Sequence, residues 1–146
     1  MRVTENLTVV AAATDRFGDL SPPIVCFDGI PSTAALVVLD GLVATEYKAL
    51  YHGDLDWRGL TIASVLARKI PRAEPWQFGA LDYLAAVRRG LGTVGLAASP
   101  VPSPWDRQLA LALQRYGVAG YKEQVISDLL GHIAGELLGD LASEPA

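Results

Sequence analysis

A chain of 146 residues, 51% apolar and 19% charged, is long enough for one domain with its own hydrophobic core and lies outside the composition of disordered chains. Its net charge of -4 excludes a broadly basic nucleic-acid-binding surface, while a local basic edge or a phosphate contact through a bound divalent metal stays open. The lone Cys26 excludes an internal disulfide and a cysteine-only zinc site. It sits in the apolar run Ile24-Val25-Cys26-Phe27 and reads as buried filler. No signal-peptide stretch follows Met1 and no apolar segment reaches membrane-spanning length, so a cytoplasmic setting without membrane contact is expected.

The opening Arg2 to Thr4 reads as a strand end, followed at once by Glu5-Asn6. Thr8 to Phe17 is a short helix ended by Gly18, and Ser21-Pro22-Pro23 is a turn. Ile24 to Phe27 is a strand of buried type, with Asp28-Gly29 just past its end. Ser32 opens a helix over Ala34 to Val43 that is apolar on nearly every face, the pattern of a helix covered on most sides. Tyr47 to Tyr51 returns as a strand, and the acidic turn His52-Gly53-Asp54-Leu55-Asp56-Trp57 follows. Arg58 to Lys69 has Leu60, Ala63, Leu66 and Ala67 at helical spacing, and Pro71 closes it. Glu74 to Phe78 is a strand of edge type because of Pro75. A helix marked by Leu81, Leu84 and Val87 then runs to Gly90. Leu91 to Pro104 reads as an irregular connection, and helices follow over Asp106 to Tyr116 and Lys122 to Leu138. Alternating strands and helices imply an α/β fold with a mostly parallel sheet covered on both faces.

Such sheets place ligands beyond the carboxyl ends of their strands, where Glu5, Asp28, Asp54 and Asp56 all fall. Asp54 and Asp56 are two apart, so in extended geometry they leave the same face. Two neighbouring carboxylates repel unless protons, donors or a cation offset the charge, and a hard cation such as Mg²⁺ is the simplest compensation. Glu5 completes the set if the first and third strands are neighbours. A purely structural reading stands beside this one: Asp56 caps the next helix and Asp54 fixes a turn through its own backbone.

Asp28-Gly29 is either part of a polar crevice or a plain turn, and Ser32 is read as a helix cap rather than an anion site. Arg58, beside the acidic pair, is either a phosphate contact or a surface-paired arginine. Trp57 and Trp76 are read as packed beside the sheet rather than stacked on a base, and Arg88-Arg89 as partners of a helix dipole. Neither His52 nor His132 has the neighbours of a nucleophilic or zinc site, and the glycines form no dinucleotide or P-loop fingerprint.

Several motifs, in order along most of the chain, carry a resemblance. They are Glu5-Asn6, PIVCFDGIPSTAA from Pro23, YHGDLDWRGLTIA from Tyr51, Pro75-Trp76, DYLAA from Asp82 and SPWD from Ser103. Together they resemble the Toprim-like C-terminal domain of a bacterial family, domain of unknown function 2399, distantly similar to the Toprim domain of Spo11-like and type VI topoisomerase A proteins. The resemblance implies a Toprim-like Rossmannoid fold of about four strands flanked by helices, with additional C-terminal helices. Residues 1–146 would be a single such domain, the C-terminal part of a longer architecture.

Carried over residue by residue, Glu5 takes the Toprim glutamate and Asp54 and Asp56 its Asp-x-Asp pair. The implied cofactor is Mg²⁺, with Mn²⁺ as the alternative ion. The implied partners are nucleic acid, DNA first, and an N-terminal domain or another subunit. A phosphatase of the haloacid-dehalogenase type would carry its Asp-x-Asp on the first strand, whereas here the pair follows the third. Leu7 stands where the family pattern has proline, and the resemblance assigns no nucleophilic role to Tyr47, Tyr51, Tyr83, Tyr116 or Tyr121. The leading expectation is therefore a Mg²⁺-dependent module for phosphodiester cleavage or transfer, nuclease-like or topoisomerase-like if active. The alternatives are a non-catalytic subunit of a nucleic-acid-processing complex and a metal-dependent phosphoesterase.

Overall fold

Residue Val3 alternates with Arg2 and Thr4 across the first strand, and this period of two separates the two faces of the whole sheet. The strand is β1 (Arg2–Thr4), and it lies between β2 (Ile24–Cys26) and β3 (Ala49–His52), with β4 (Ala73–Pro75) beyond β3. All three pairings are parallel, giving the order β2-β1-β3-β4. Register places Arg2 beside Ile24 and Leu50, and Val3 beside Val25 and Tyr51. The computed structural model describes residues 1–45, 48–120 and 122–143. Tyr47 and Tyr121, both weighed above, lie outside them.

Helices cover both faces, as parallel sheets require. On one face, α2 (Thr33–Ala44) and α3 (Trp57–Lys69) pack Leu39, Val43, Leu60 and Leu66 with Val3 and Tyr51. On the other, α1 (Leu7–Phe17) and the long α6 (Lys122–Ser143) pack Val9, Ala13, Leu129 and Ile133 around Trp76, with Ile24 and Leu50 beneath. Asn6, Ser32 and Asp56 each accept a backbone N–H at the start of α1, α2 and α3, satisfying donors that the first turn of a helix leaves unpaired. Ser32 is thus the cap expected of it. Beyond β4, α4 (Ala80–Arg88) packs against α5 (Arg107–Tyr116).

Four features differ from the sequence reading. The stretch after Leu91 holds β5 (Gly92–Gly95), which pairs antiparallel with β6 (Val118–Gly120) in a separate two-stranded sheet. Both strands are glycine-rich and of low strand propensity, and their partner lies far along the chain, so local pattern does not reveal them. β4 stops at Pro75 rather than Phe78, because Gln77 takes a left-handed conformation and turns the chain. Cys26 is half-buried, since β2 is the sheet's outer strand. Helix α2 is not covered on most sides: Leu39 and Val43 face the core, whereas Val37 and Val38 are 67% and 63% exposed. Only its inner stripe meets the sheet, and α3 flanks it on one side.

Arg2 points from β1 into the α6 face, where its side chain is buried, pairs with Glu136 and lies 5.0 Å above the Trp76 ring. Its Nε has no hydrogen-bond partner. A buried guanidinium loses hydration, so the Glu136 pair offsets part of that cost and fixes α6 against the sheet. Arg89 makes a second tie, to Asp128 of α6, and so is a paired arginine rather than a helix-dipole partner alone. Glu136→Ala should destabilise the fold toward the low end of about 1.5–3 kcal/mol, because Glu136 is itself part-exposed. Urea denaturation checks this; an unchanged midpoint would show that Arg2 does not depend on the pair.

Candidate functional site

Parallel pairing brings the carboxyl ends of neighbouring strands to one edge, and here three acidic segments meet there. Thr4, at the end of β1, is in register with Cys26 of β2 and His52 of β3. The next residues are Glu5 after β1, Asp28 after β2, and Asp54 and Asp56 after β3. The first and third strands are adjacent, the condition set above for Glu5 to join the acidic turn.

Glu5 is nearly buried, at 7% exposure. Its Oε1 accepts from the Asp54 backbone N–H at 2.9 Å and from the Tyr51 hydroxyl at 3.3 Å. Burial raises its pKa above the usual carboxylate value, and the charges of Asp54 and Asp56 add to the rise. The two hydrogen bonds act in the opposite direction. Glu5 therefore feels the charges of both aspartates.

Asp56 is the N-cap of α3, its Oδ1 accepting from Gly59 N–H at 2.8 Å. The structural role foreseen for it is real, and it involves one of the two carboxylate oxygens. Asp56 N–H donates to Asp54 O at 2.8 Å, closing a tight turn. Between the two aspartates, Leu55 is buried while both carboxylates are half-exposed. Leu55 O also accepts from Gly120 N–H at 3.1 Å, so β6 braces the turn from behind.

Glycines make this packing possible. A Cβ on Gly53 would overlap the Tyr51 hydroxyl and Glu5 Oε1, and one on Gly59 would fall on the Asp54 carbonyl oxygen. The supporting residues Tyr51, Gly53, Gly59 and Gly120 were not singled out from the sequence. Gly53 lies within the acidic turn and Gly59 within the run from Tyr51, whereas nothing in the sequence marked Gly120.

Arg58 is exposed on the first turn of α3, and its guanidinium stands against Gly29, where an added Cβ would lie 3.0 Å from Nη2. Gly29 has φ +109° and follows Asp28 at φ 54°, so this loop relies on left-handed backbone. Arg58 thus reaches from the helix after β3 to the loop after β2. Trp57 and Trp76 are buried, as expected of packed rings.

The candidate ligands are hard oxygen donors, the kind Mg²⁺ or Mn²⁺ prefers, and the mutual charge at Glu5 is the kind a cation relieves. Among the described residues, no group of three or more His, Cys, Asp and Glu side chains is arranged to hold a metal ion. The donor set fits in kind without forming a three-carboxylate cage. Mg²⁺ is commonly held by one or two carboxylates with waters and substrate phosphate.

The family model described as "Protein of unknown function C-terminus (DUF2399)" matches residues 1–133. The chain belongs to the DUF2399 family. The motif resemblance is therefore correct at the level of the family. No curated protein matches the DUF2399 chain. No helix among its described residues is long and apolar enough to cross a membrane.

His52 begins the acidic turn but faces inward. Its Nδ1 lies 3.1 Å from Trp76 O, and a carbonyl only accepts, so Nδ1 carries the proton. Burial lowers its pKa to about 4, although backbone hydrogen bonds at Trp76 and Gln77 act against the fall. The folded state thus keeps His52 neutral. Above the unfolded value near 6.5, both states are neutral and the group has no effect. As pH falls from there toward 4, the unfolded chain takes the proton first and stability drops, by at most roughly 1.4 kcal/mol per pH unit. His52→Asn keeps an N–H for Trp76 O and should flatten this slope between pH 6.5 and 4, whatever it costs at pH 7. Thermal melts across that window check it; parallel slopes in both proteins would refute it.

Proposed function

We propose that this α/β domain is a Toprim-like, Mg²⁺-dependent nucleic-acid-processing module acting on phosphodiesters, with DNA as its first expected substrate. One observation carries the reading: Glu5 and Asp54, from the ends of adjacent parallel strands, are joined by a 2.9 Å hydrogen bond at the carboxyl edge of the sheet. The family resemblance supports the same three residues.

Of the expected ligands Glu5, Asp54 and Asp56, one or two at a time would hold the cation, with waters and substrate phosphate completing its shell and Mn²⁺ able to replace Mg²⁺. When bound, that ion supplies charge neutralisation at a phosphate oxygen. Glu5 would complete the coordination shell or, where it is not a ligand, hold or pass a proton at the attacking or leaving oxygen, the role that its raised pKa favours. Arg58, exposed where α3 meets the Asp28-Gly29 loop, would contact a backbone phosphate. The buried Tyr51 is not an accessible nucleophile, so water or a group from another chain would make the attack.

A second reading, a non-catalytic subunit of a nucleic-acid-processing complex, draws support from the exposed apolar side of α2 and from the capping role of Asp56. Calorimetry with Mn²⁺ and cutting of plasmid DNA separate the two. Wild type should bind and cut. Asp54→Asn should lose affinity by about tenfold or more, and cutting with it. Equal, negligible heats in wild type and in the Asp54→Asn, Asp56→Asn double variant would reject the metal site. Metal-dependent turnover of a simple phosphoester with DNA left intact would point instead to a phosphoesterase.

A further inference from the structure

Tyr51 lies in β3 with its ring wholly buried, yet its hydroxyl reaches the site. The ring is fixed on two sides. Phe78 meets it edge-on at 5.4 Å and Trp105 lies tilted at 5.9 Å. A phenol so enclosed needs a hydrogen-bond partner, and this one donates to Glu5 Oε1.

The second donor to Glu5, the Asp54 backbone N–H, falls on the same oxygen. Neither bond falls on Oε2. Gly53 lacks a side chain at the point where the Tyr51 hydroxyl and Oε1 meet, and any Cβ there would overlap both. A glutamate side chain has three rotatable bonds and would otherwise sample many poses. Here its two oxygens are made unequal by a rigid ring, a turn amide and a missing Cβ.

We infer that Tyr51 is a positioning residue that commits Glu5 Oε1 to the fold and so presents Oε2 as the oxygen that meets the divalent cation. Tyr51 touches neither cation nor substrate in this arrangement; it acts through Glu5. The inference rests on the metal-site reading proposed above. It adds a residue outside the acidic set, and it assigns separate tasks to the two oxygens of one carboxylate.

Tyr51→Phe is the test, because it keeps the ring and its packing and removes only the hydroxyl. Mn²⁺ affinity is read by titration calorimetry on the full chain. The melting midpoint of the metal-free protein and hydrogen exchange at the Asp54 amide are measured alongside. The variant should fold and bind Mn²⁺ roughly 10- to 100-fold more weakly, the range for losing a group that orients a metal ligand. Exchange at the Asp54 amide should quicken, while the amides of Val3 and Leu50 in the strand centres keep their protection.

A purely structural hydroxyl would lower the melting midpoint and leave the Mn²⁺ affinity of the folded fraction unchanged. Wild-type binding matched by the variant therefore overturns this inference alone. No Mn²⁺ binding by wild type overturns the metal-site reading and this inference together. If Tyr51→Phe fails to fold, Tyr51→His, which can still offer a ring N–H, is the comparison. Unaltered affinity in a folded Tyr51→His with normal Asp54 exchange supports the inference, and unaltered affinity with quickened exchange overturns it.

Discussion

The parallel pairing of β1 with β3 is the constraint on which the rest of the site depends. It puts Glu5 against the turn that carries Asp54 and Asp56, residues about fifty positions away, without any of them lying in a helix or a groove of their own. Parallel strands need a crossover, and α2, which links β2 to β3, and α3, which links β3 to β4, both pack on the face that holds Val3 and Tyr51. Had β3 paired on the far side of β2, Glu5 would end two strands from the aspartates. The strand order β2-β1-β3-β4 is thus as much a part of the site as its side chains.

Bringing a carboxyl group into that position has an electrostatic cost. Glu5 loses water and gains two like-charged neighbours, and both effects oppose its ionisation. The fold answers with the Asp54 amide, the Tyr51 hydroxyl and glycines that let them approach. These donors lessen the penalty without cancelling it, since the net direction at Glu5 is still upward. An acidic site designed only for turn stability would have little reason to bury its glutamate, because Asp56 caps its helix from a half-exposed position. The residual strain at Glu5, rather than the number of acids nearby, is what makes this edge of the sheet chemically distinctive.

Much of this was legible in the sequence, for identifiable reasons. The strands at Arg2–Thr4 and Ile24–Cys26 are bounded by sharp signals, Glu5-Asn6 on one side and Pro22-Pro23 on the other. Ser32 and Asp56 are caps that can be read directly from residue type and place. The adjacency of Glu5 and Asp54 could be posed only as a condition, because strand order is not written in local periodicity. Tyr51 was hidden for a different reason. It was read only as the end of a strand with no nucleophilic role; its ring packs in the core, and nothing local reported that its hydroxyl ends at a carboxylate. The β5–β6 pair escaped because glycine-rich strands owe their existence to a distant partner.

Helix α2 shows the same limit from the opposite side. Its sequence is apolar almost all round, and amphipathicity alone would place it deep in a core. The fold gives it one covered stripe and leaves Val37 and Val38 in the open, with Ile30 exposed in the preceding loop. Apolar patterning states which residues tolerate burial; topology decides which of them receive it. In this chain the two decisions differ most at α2, on the layer that also holds α3 and its capping aspartate. The crossover α2, which links β2 to β3 on this layer, thus carries both the exposed apolar stripe and the chain to the strand that brings the acidic turn beside Glu5.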